Sequence, residues 1–257
     1  MLFRSFWGFI SGVLTFTPHD YWWHEHAQHH ASAGNLDHRG IGDIWTMTVK
    51  EYKKASRKTR LFYRLMRNPF CLFIIGPPIV FIIARRIPRF NGGWKKCRSI
   101  LLTNLGILVM ATLISALIGL KAYLLIQLPV LMMAACAGVW LFYVQHQFEG
   151  VYWERQEGWD YVDEALKGSS FYKLPKILQW FTGNIGFHHI HHLSPRIPNY
   201  YLEACYNANP LFQQIKPITL LSSLKSLKFR LWDEQHNQLI SFREFKRRYA
   251  RASNISS

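Results

Sequence analysis

Two long uninterrupted apolar stretches, residues 100–120 and 122–144, dominate the hydropathy pattern, with Lys121 alone between them. At about 1.5 Å per helical residue, each is long enough to cross a hydrocarbon layer of roughly 30 Å. The pattern predicts a transmembrane helical hairpin with a tight turn at Lys121. A shorter apolar run, residues 70–84, is broken by Gly76-Pro77-Pro78 and flanked by Arg64 and Arg67 before it and Arg85, Arg86 and Arg89 after it. Those features predict an interfacial or re-entrant segment. Residues 2–17 are apolar and aromatic, and end at Pro18. That is short of the roughly 20 residues of a full span, so an interfacial or half-buried helix is expected.

The polar segments are patterned differently. Residues 19–30 predict a polar helix flanked by aromatics, and the glycines and acids of residues 34–43 a loop. Residues 50–67 hold eight basic residues and one acid, Glu51, with Tyr52, Leu61, Phe62 and Leu65 interleaved. A helix lying on a membrane surface fits that pattern. The tail carries Leu220, Leu224, Leu227 and Leu231 at helical spacing beside Lys225, Lys228 and Arg230, which predicts a second surface-lying helix. The fold class expected is an all-α integral membrane protein: one transmembrane hairpin, interfacial helices and a histidine-rich helical cap.

Charge narrows the partners. Thirty-one basic against fifteen acidic residues give a formal charge of +16, in a chain that is 49% hydrophobic. A soluble nucleic-acid binder would not carry such long apolar stretches. Basic faces on anionic lipid fit better, and no nucleic-acid partner is expected. The four cysteines, Cys71, Cys97, Cys136 and Cys205, form no CxxC pair, which argues against a disulfide framework or a cysteine-rich zinc site.

The histidines supply candidate chemistry. Nine of the twelve lie within residues 19–30 and 188–192. His26, His29 and His30 have the form H-x-x-H-H, and so do His188, His191 and His192. On a helix these positions share one face, so three imidazoles can converge on a metal ion. With imidazole dominating, iron and zinc both suit the donor set. His146, leaving the second long apolar run, is a further candidate. His19, His24, His38, His189 and His236 read as surface or hydrogen-bonded residues. If both clusters serve one site they lie on one side of the membrane, which requires an even number of crossings between them. The hairpin supplies two, and the basic segment 85–98 before it puts that side in the cytoplasm.

The stretch from His26 through Ala27-Gln28-His29-His30 to Asp37 resembles the second histidine box of membrane-bound acyl-lipid fatty acid desaturases. Gly183-Asn184-Ile185-Gly186-Phe187-His188-His189-Ile190-His191-His192, continuing to Tyr200, resembles their third box, and residues 142–149 resemble the segment between. The resemblance implies an O2-dependent enzyme with two non-haem iron ions, removing two hydrogens from a membrane lipid acyl chain. Its implied metal ligands are His26, His29, His30, His188, His191 and His192, with His146 matching an additional ligand position; no catalytic residue beyond them is implied. Electrons would come from a ferredoxin-like or cytochrome b5-like donor. Trp22, Trp23, Trp45, Trp153 and Trp180 are candidates to line an apolar tunnel.

The expected organisation is one desaturase-like domain over residues 1–257. Residues 1–68 form the second-box cap and interfacial helices, 69–145 the membrane region, and 146–257 the third-box cap and basic tail. The family's first box, H-x-x-x-H, precedes the second, whereas Met1-Leu2-Phe3-Arg4-Ser5 resembles the residues just after it. The expectation is an N-terminally truncated chain short of two ligands, its activity in question. Alternatives are a non-catalytic desaturase remnant, a related di-iron hydroxylase or ketolase, and a zinc-dependent membrane hydrolase. The last would need H-E-x-x-H, and His24-Glu25-His26 has the wrong spacing.

Overall fold

The computed structural model describes residues 2–40, 42–88 and 93–250. Ile41 of the predicted loop and residues 89–92 of the basic segment lie outside the described residues. Helices dominate: α1 (Leu2–Leu14), α2 (His19–Ser32), α3 (Val49–Lys54), α4 (Arg57–Met66), α5 (Trp94–Ile118), α6 (Leu120–His146), α7 (Lys176–Phe181), α8 (His188–Leu193) and α9 (Leu202–Ala208), with shorter turns around them. The all-α expectation is corrected by five short strands: β1 (Met47–Thr48), β2 (Tyr172–Lys173), β3 (Ile218–Thr219), β4 (Leu231–Asp233) and β5 (Gln238–Ile240). They form a sheet in the order β1-β4-β5 and a separate parallel β2-β3 pair. Among the described residues, those within 2–28 and 66–140 make one compact unit, and those within 29–65 and 141–250 another.

In the first unit the apolar runs are α5 and most of α6, helices of 25 and 27 residues whose most apolar 18-residue stretches have mean hydropathy 2.2 and 2.1. Both are long and apolar enough to cross a membrane. The turn expected at Lys121 lies instead at Gly119, whose φ of 85° ends α5. Only a residue without a Cβ takes that conformation at little cost, so the glycine and not the charged residue decides where the helix breaks. The run Cys71–Arg86 is helical throughout, with π-turns at Cys71–Ile75 and Ile79–Ile83 on either side of Gly76–Pro78. Pro77 and Pro78 have no N–H to give the carbonyls four residues back, and wider turns relieve that mismatch. By length and composition this run and α4 together also qualify as one broken span. Arg86 ties the run to α5, donating to Asn104 Oδ1 (3.0 Å) and receiving a hydrogen bond from Asn104 Nδ2 at its own carbonyl (2.8 Å).

In the second unit the basic stretch 50–67 is two helices and not one. Ala55, with ψ of 147°, ends α3, which starts in a capping box between Thr48 and Glu51. Tyr52 and Tyr63 are fully buried with Val49, Leu231 and Ile240. Leu61, Phe62, Leu65 and Met66 stay exposed, so the segment is part core and part surface. The tail corrects the sequence reading further. Leu220 begins a single helical turn and Leu224 a 3-10 turn, whereas Leu231 is a buried strand residue paired with Met47 and Ile240. Pairing on both edges of β4 and burial of Leu231 outweigh helical spacing that had only local support.

Candidate metal centre

Local structure sets the histidines in register. His26, His29 and His30 lie on α2, and His188, His191 and His192 on α8, so both H-x-x-H-H triplets are helical as their spacing predicts. His146 is the last residue of α6. The third box is positioned by contact with β2: Tyr172 N–H donates to the Gly186 carbonyl at 2.7 Å. A Cβ at Gly186 would lie 2.3 Å from the Tyr172 carbonyl oxygen, so this approach is closed to any other residue. Gln145 fastens α6 to the same segment, its Nε2 donating to the Ile185 carbonyl (2.9 Å) and its backbone carbonyl accepting from Ser170 N–H (3.0 Å).

Within the second unit His29, His146 and His192 converge from three segments, with ring nitrogens within 4.8 Å of one another and all three residues buried. His146 Nε2 is 2.9 Å from His188 Nε2 and 3.1 Å from His29 Nε2. One imidazole nitrogen carries either a hydrogen or a lone pair, so it cannot serve both neighbours with full hydrogen bonds. Donors about 2.1 Å from an ion and at right angles stand about 3.0 Å apart, which is the spacing found. The donor set therefore fits a histidine-ligated metal ion. Beside it, His30 Nε2 lies 3.1 Å from His191 Nε2, and the His30 ring stacks on that of His192 at 4.2 Å. His26 belongs to the first unit, stacked on Trp22 at 4.6 Å.

Carboxylates orient two of the three rings. Asp43 Oδ1 meets His29 Nδ1 at 2.9 Å, and Glu164 Oε2 meets His192 Nδ1 at 3.2 Å. A partner on Nδ1 leaves Nε2 as the metal-facing nitrogen and fixes the ring plane. Sequence reading assigned no role to Asp43 or Glu164. They stand 14 and 28 residues from their histidines, and no local spacing links them. No feature of the sequence marks either residue: the π-turn Glu164–Gly168, of a kind frequent at functional sites, is visible only in the fold.

Burial sets the protonation. It drives His188 and His192 well below the ordinary histidine range, with the neighbouring histidines adding to the effect. It lowers His189 and His191 to about 4. Burial also pushes the Glu164 carboxyl up to about 8, against the hydrogen bond from Ser169 and helped by the charge of Asp43. Both partners of the Glu164–His192 contact are thus held neutral without an ion, and the contact is a neutral hydrogen bond. Neutral imidazole is the form that binds metal.

The remaining candidates are not brought into this cluster. His189 is fully buried against Phe171 and Phe212 at ring distances of 5.7 and 5.9 Å. His236 pairs with Asp233 at 3.0 Å, and His19 with Asp20 at 3.3 Å. Of the proposed tunnel tryptophans, Trp22, Trp23, Trp45 and Trp180 are exposed, Trp180 at 75%. Only Trp153 is buried, stacked on Trp232 and lining a cavity of about 10 Å³ with His29, Phe142 and His146. That space holds about one water.

Comparison with known proteins agrees with the boxes. The profile of the family described as "Fatty acid desaturase" matches residues 1–216. A protein named "Fatty acid desaturase" from Bacillus subtilis (strain 168) is 52% identical over 239 residues, 93% of this chain and 68% of that protein. "Omega-3 fatty acid desaturase, endoplasmic reticulum" from Vigna radiata var. radiata is 26% identical over 218 residues, covering 77% of this chain and 54% of that one. The chain thus spans about two thirds of one relative and about half of the other. By its profile match and by its identity to the Bacillus protein, the chain belongs to the fatty acid desaturase family.

Proposed function

We propose that the chain is an O2-dependent acyl-lipid desaturase, its boxes on the cytoplasmic side of a membrane, with iron ligands drawn from His26, His29, His30, His146, His188, His191 and His192. The observation that carries this reading is the buried convergence of His29, His146 and His192, two of them steered through Nδ1 by a carboxylate. Bound iron supplies the O2 chemistry needed to break an unactivated C–H bond, which acid–base side chains do not reach. Two hydrogens leave the acyl chain and, with two electrons and two protons from outside, reduce O2 to two waters. The electrons come from a ferredoxin-like or cytochrome b5-like donor.

The protein's own residues orient and insulate. Asp43 and Glu164 hold the ring planes of His29 and His192. Tyr161 donates its hydroxyl hydrogen to the His192 carbonyl at 2.5 Å, fixing the end of α8. Phe142 places its ring 5.1 Å from those of both His29 and His146, an apolar wall on one side of the imidazoles.

The test is metal and fatty-acid analysis in a host lacking unsaturated lipids and supplied with a donor. The chain is expressed alone and joined to the part of the Bacillus relative outside the match. Iron in the purified protein and a new double bond from either form support the reading. Zinc in place of iron, or iron without a double bond in both forms, refutes it. The carboxylates carry their own expectation. Asp43→Asn and Glu164→Gln should each weaken iron binding by roughly 10- to 100-fold, the range for orienting partners of ligands, measured by chelator competition. Unchanged affinity would show that the carboxylates do not position the rings.

A further inference from the structure

The second unit has a pocket that the histidine centre does not use. It is a depression of about 570 Å³ lined by Lys228, Arg230, Phe242, Arg243, Glu244 and Arg247 among others. Its four cations come from separate pieces of chain: the 3-10 turn Leu224–Lys228, the residue before β4, and the helical turns of residues 242–250. The pocket's carboxylate is already committed. Glu244 accepts from Ser241 N–H and Ser241 Oγ, both at 2.8 Å, in a helix cap. The nearby Asp233 is taken by Tyr249 (2.6 Å), His236 (3.0 Å) and Arg248 (3.3 Å). Lys228, Arg243 and Arg247 are in no ion pair among the described residues, and all three are exposed. A fifth cation, Arg64, stands 5.0 Å over the Phe242 ring.

Four cations against the one carboxylate of Glu244, whose charge already acts on Arg247, leave the concavity net positive, and an entering anion would offset their mutual repulsion. Arginine forks match the oxygens of a phosphate group. The surroundings indicate where the phosphate comes from. Leu61 and Leu65, one turn and one residue from Arg64 on α4, are 71% and 52% exposed. Exposed leucines beside the arginine that stands over the pocket's Phe242 fit the acyl side of a lipid whose headgroup enters the pocket. We propose that this pocket binds the phosphate of an anionic phospholipid headgroup. The inference does not depend on the metal reading.

The test is native mass spectrometry of the full chain in detergent, with phosphatidylglycerol, phosphatidylcholine or inorganic phosphate as probes. One phosphatidylglycerol should be retained per chain, in preference to phosphatidylcholine. Arg243→Ser with Arg247→Ser should weaken that retention about 30-fold, the loss for two cations near an anionic lipid. Both side chains are exposed, so their removal leaves the packing intact. Lys216→Ser with Lys225→Ser removes the same charge outside the pocket, and should leave retention unchanged. Equal loss in the two double variants, or none in the first, would overturn the site. Binding of inorganic phosphate that phosphatidylglycerol cannot displace would overturn the lipid source.

Discussion

Replacing His146 by alanine is expected to abolish desaturation and to lower iron affinity by more than about 100-fold, beyond the range for partners that merely orient a ligand. His146 is the hub of the cluster. Its Nε2 approaches both His188 and His29, and its ring lies 4.8 Å from those of His188 and His192. Its removal leaves the other imidazoles without their shared neighbour and opens a gap behind Phe142. The informative control is His189→Phe. His189 is equally buried and adjoins His188 in sequence, but it sits among aromatic rings. Phenylalanine there should retain iron and leave activity within a few-fold. The readouts are iron content after chelator challenge and double-bond formation. Iron retained without His146, or lost equally without His189, would mean that the ligand set is wrong.

The contrast between these neighbouring histidines shows what sequence can and cannot convey. Spacing of three and four residues is a property of one helix. His26, His29 and His30, and likewise His188, His191 and His192, were therefore legible as two helical faces. The long apolar runs were legible for the same reason, because length and composition are local. What was not legible depends on partners far along the chain. Nothing near Asp43 or Glu164 announces a bond to a histidine, since the bond exists only once loop and helix meet. Leu231 looked like one more residue of a helical stripe until strand pairing with Met47 and Ile240 removed it from the surface. The chain break at Gly119 was misread as Lys121 because charge is conspicuous in an apolar run, whereas backbone freedom decides the turn.

Stripped of metal, the protein should be most stable near pH 6.5, with a steep acid flank and a shallower alkaline one. The buried Glu164 carboxyl is raised from 4.5 to about 8. Between those values the unfolded chain has released a proton that the folded chain still holds. Stability therefore falls as pH rises, by about 1.4 kcal/mol per pH unit, until the folded carboxyl ionises near pH 8. The histidines act in the opposite sense. His188, His189, His191 and His192 are lowered from 6.5, so below that pH the unfolded chain takes up protons that the folded chain refuses. Each removes about 1.4 kcal/mol per pH unit as pH falls, against the one carboxyl working the other way, so the acid side is the steeper. Metal changes both flanks. It binds only deprotonated imidazole, which deepens the acid loss, and its charge favours ionised Glu164, which flattens the alkaline slope. Thermal loss of helicity in detergent at pH 5, 6.5 and 8 measures this for the chelator-treated chain, the iron-loaded chain and Glu164→Gln. The glutamine variant should lose the alkaline decline and keep the acid one. An alkaline decline that survives in Glu164→Gln would assign it to another group and remove the case for a neutral Glu164–His192 pair.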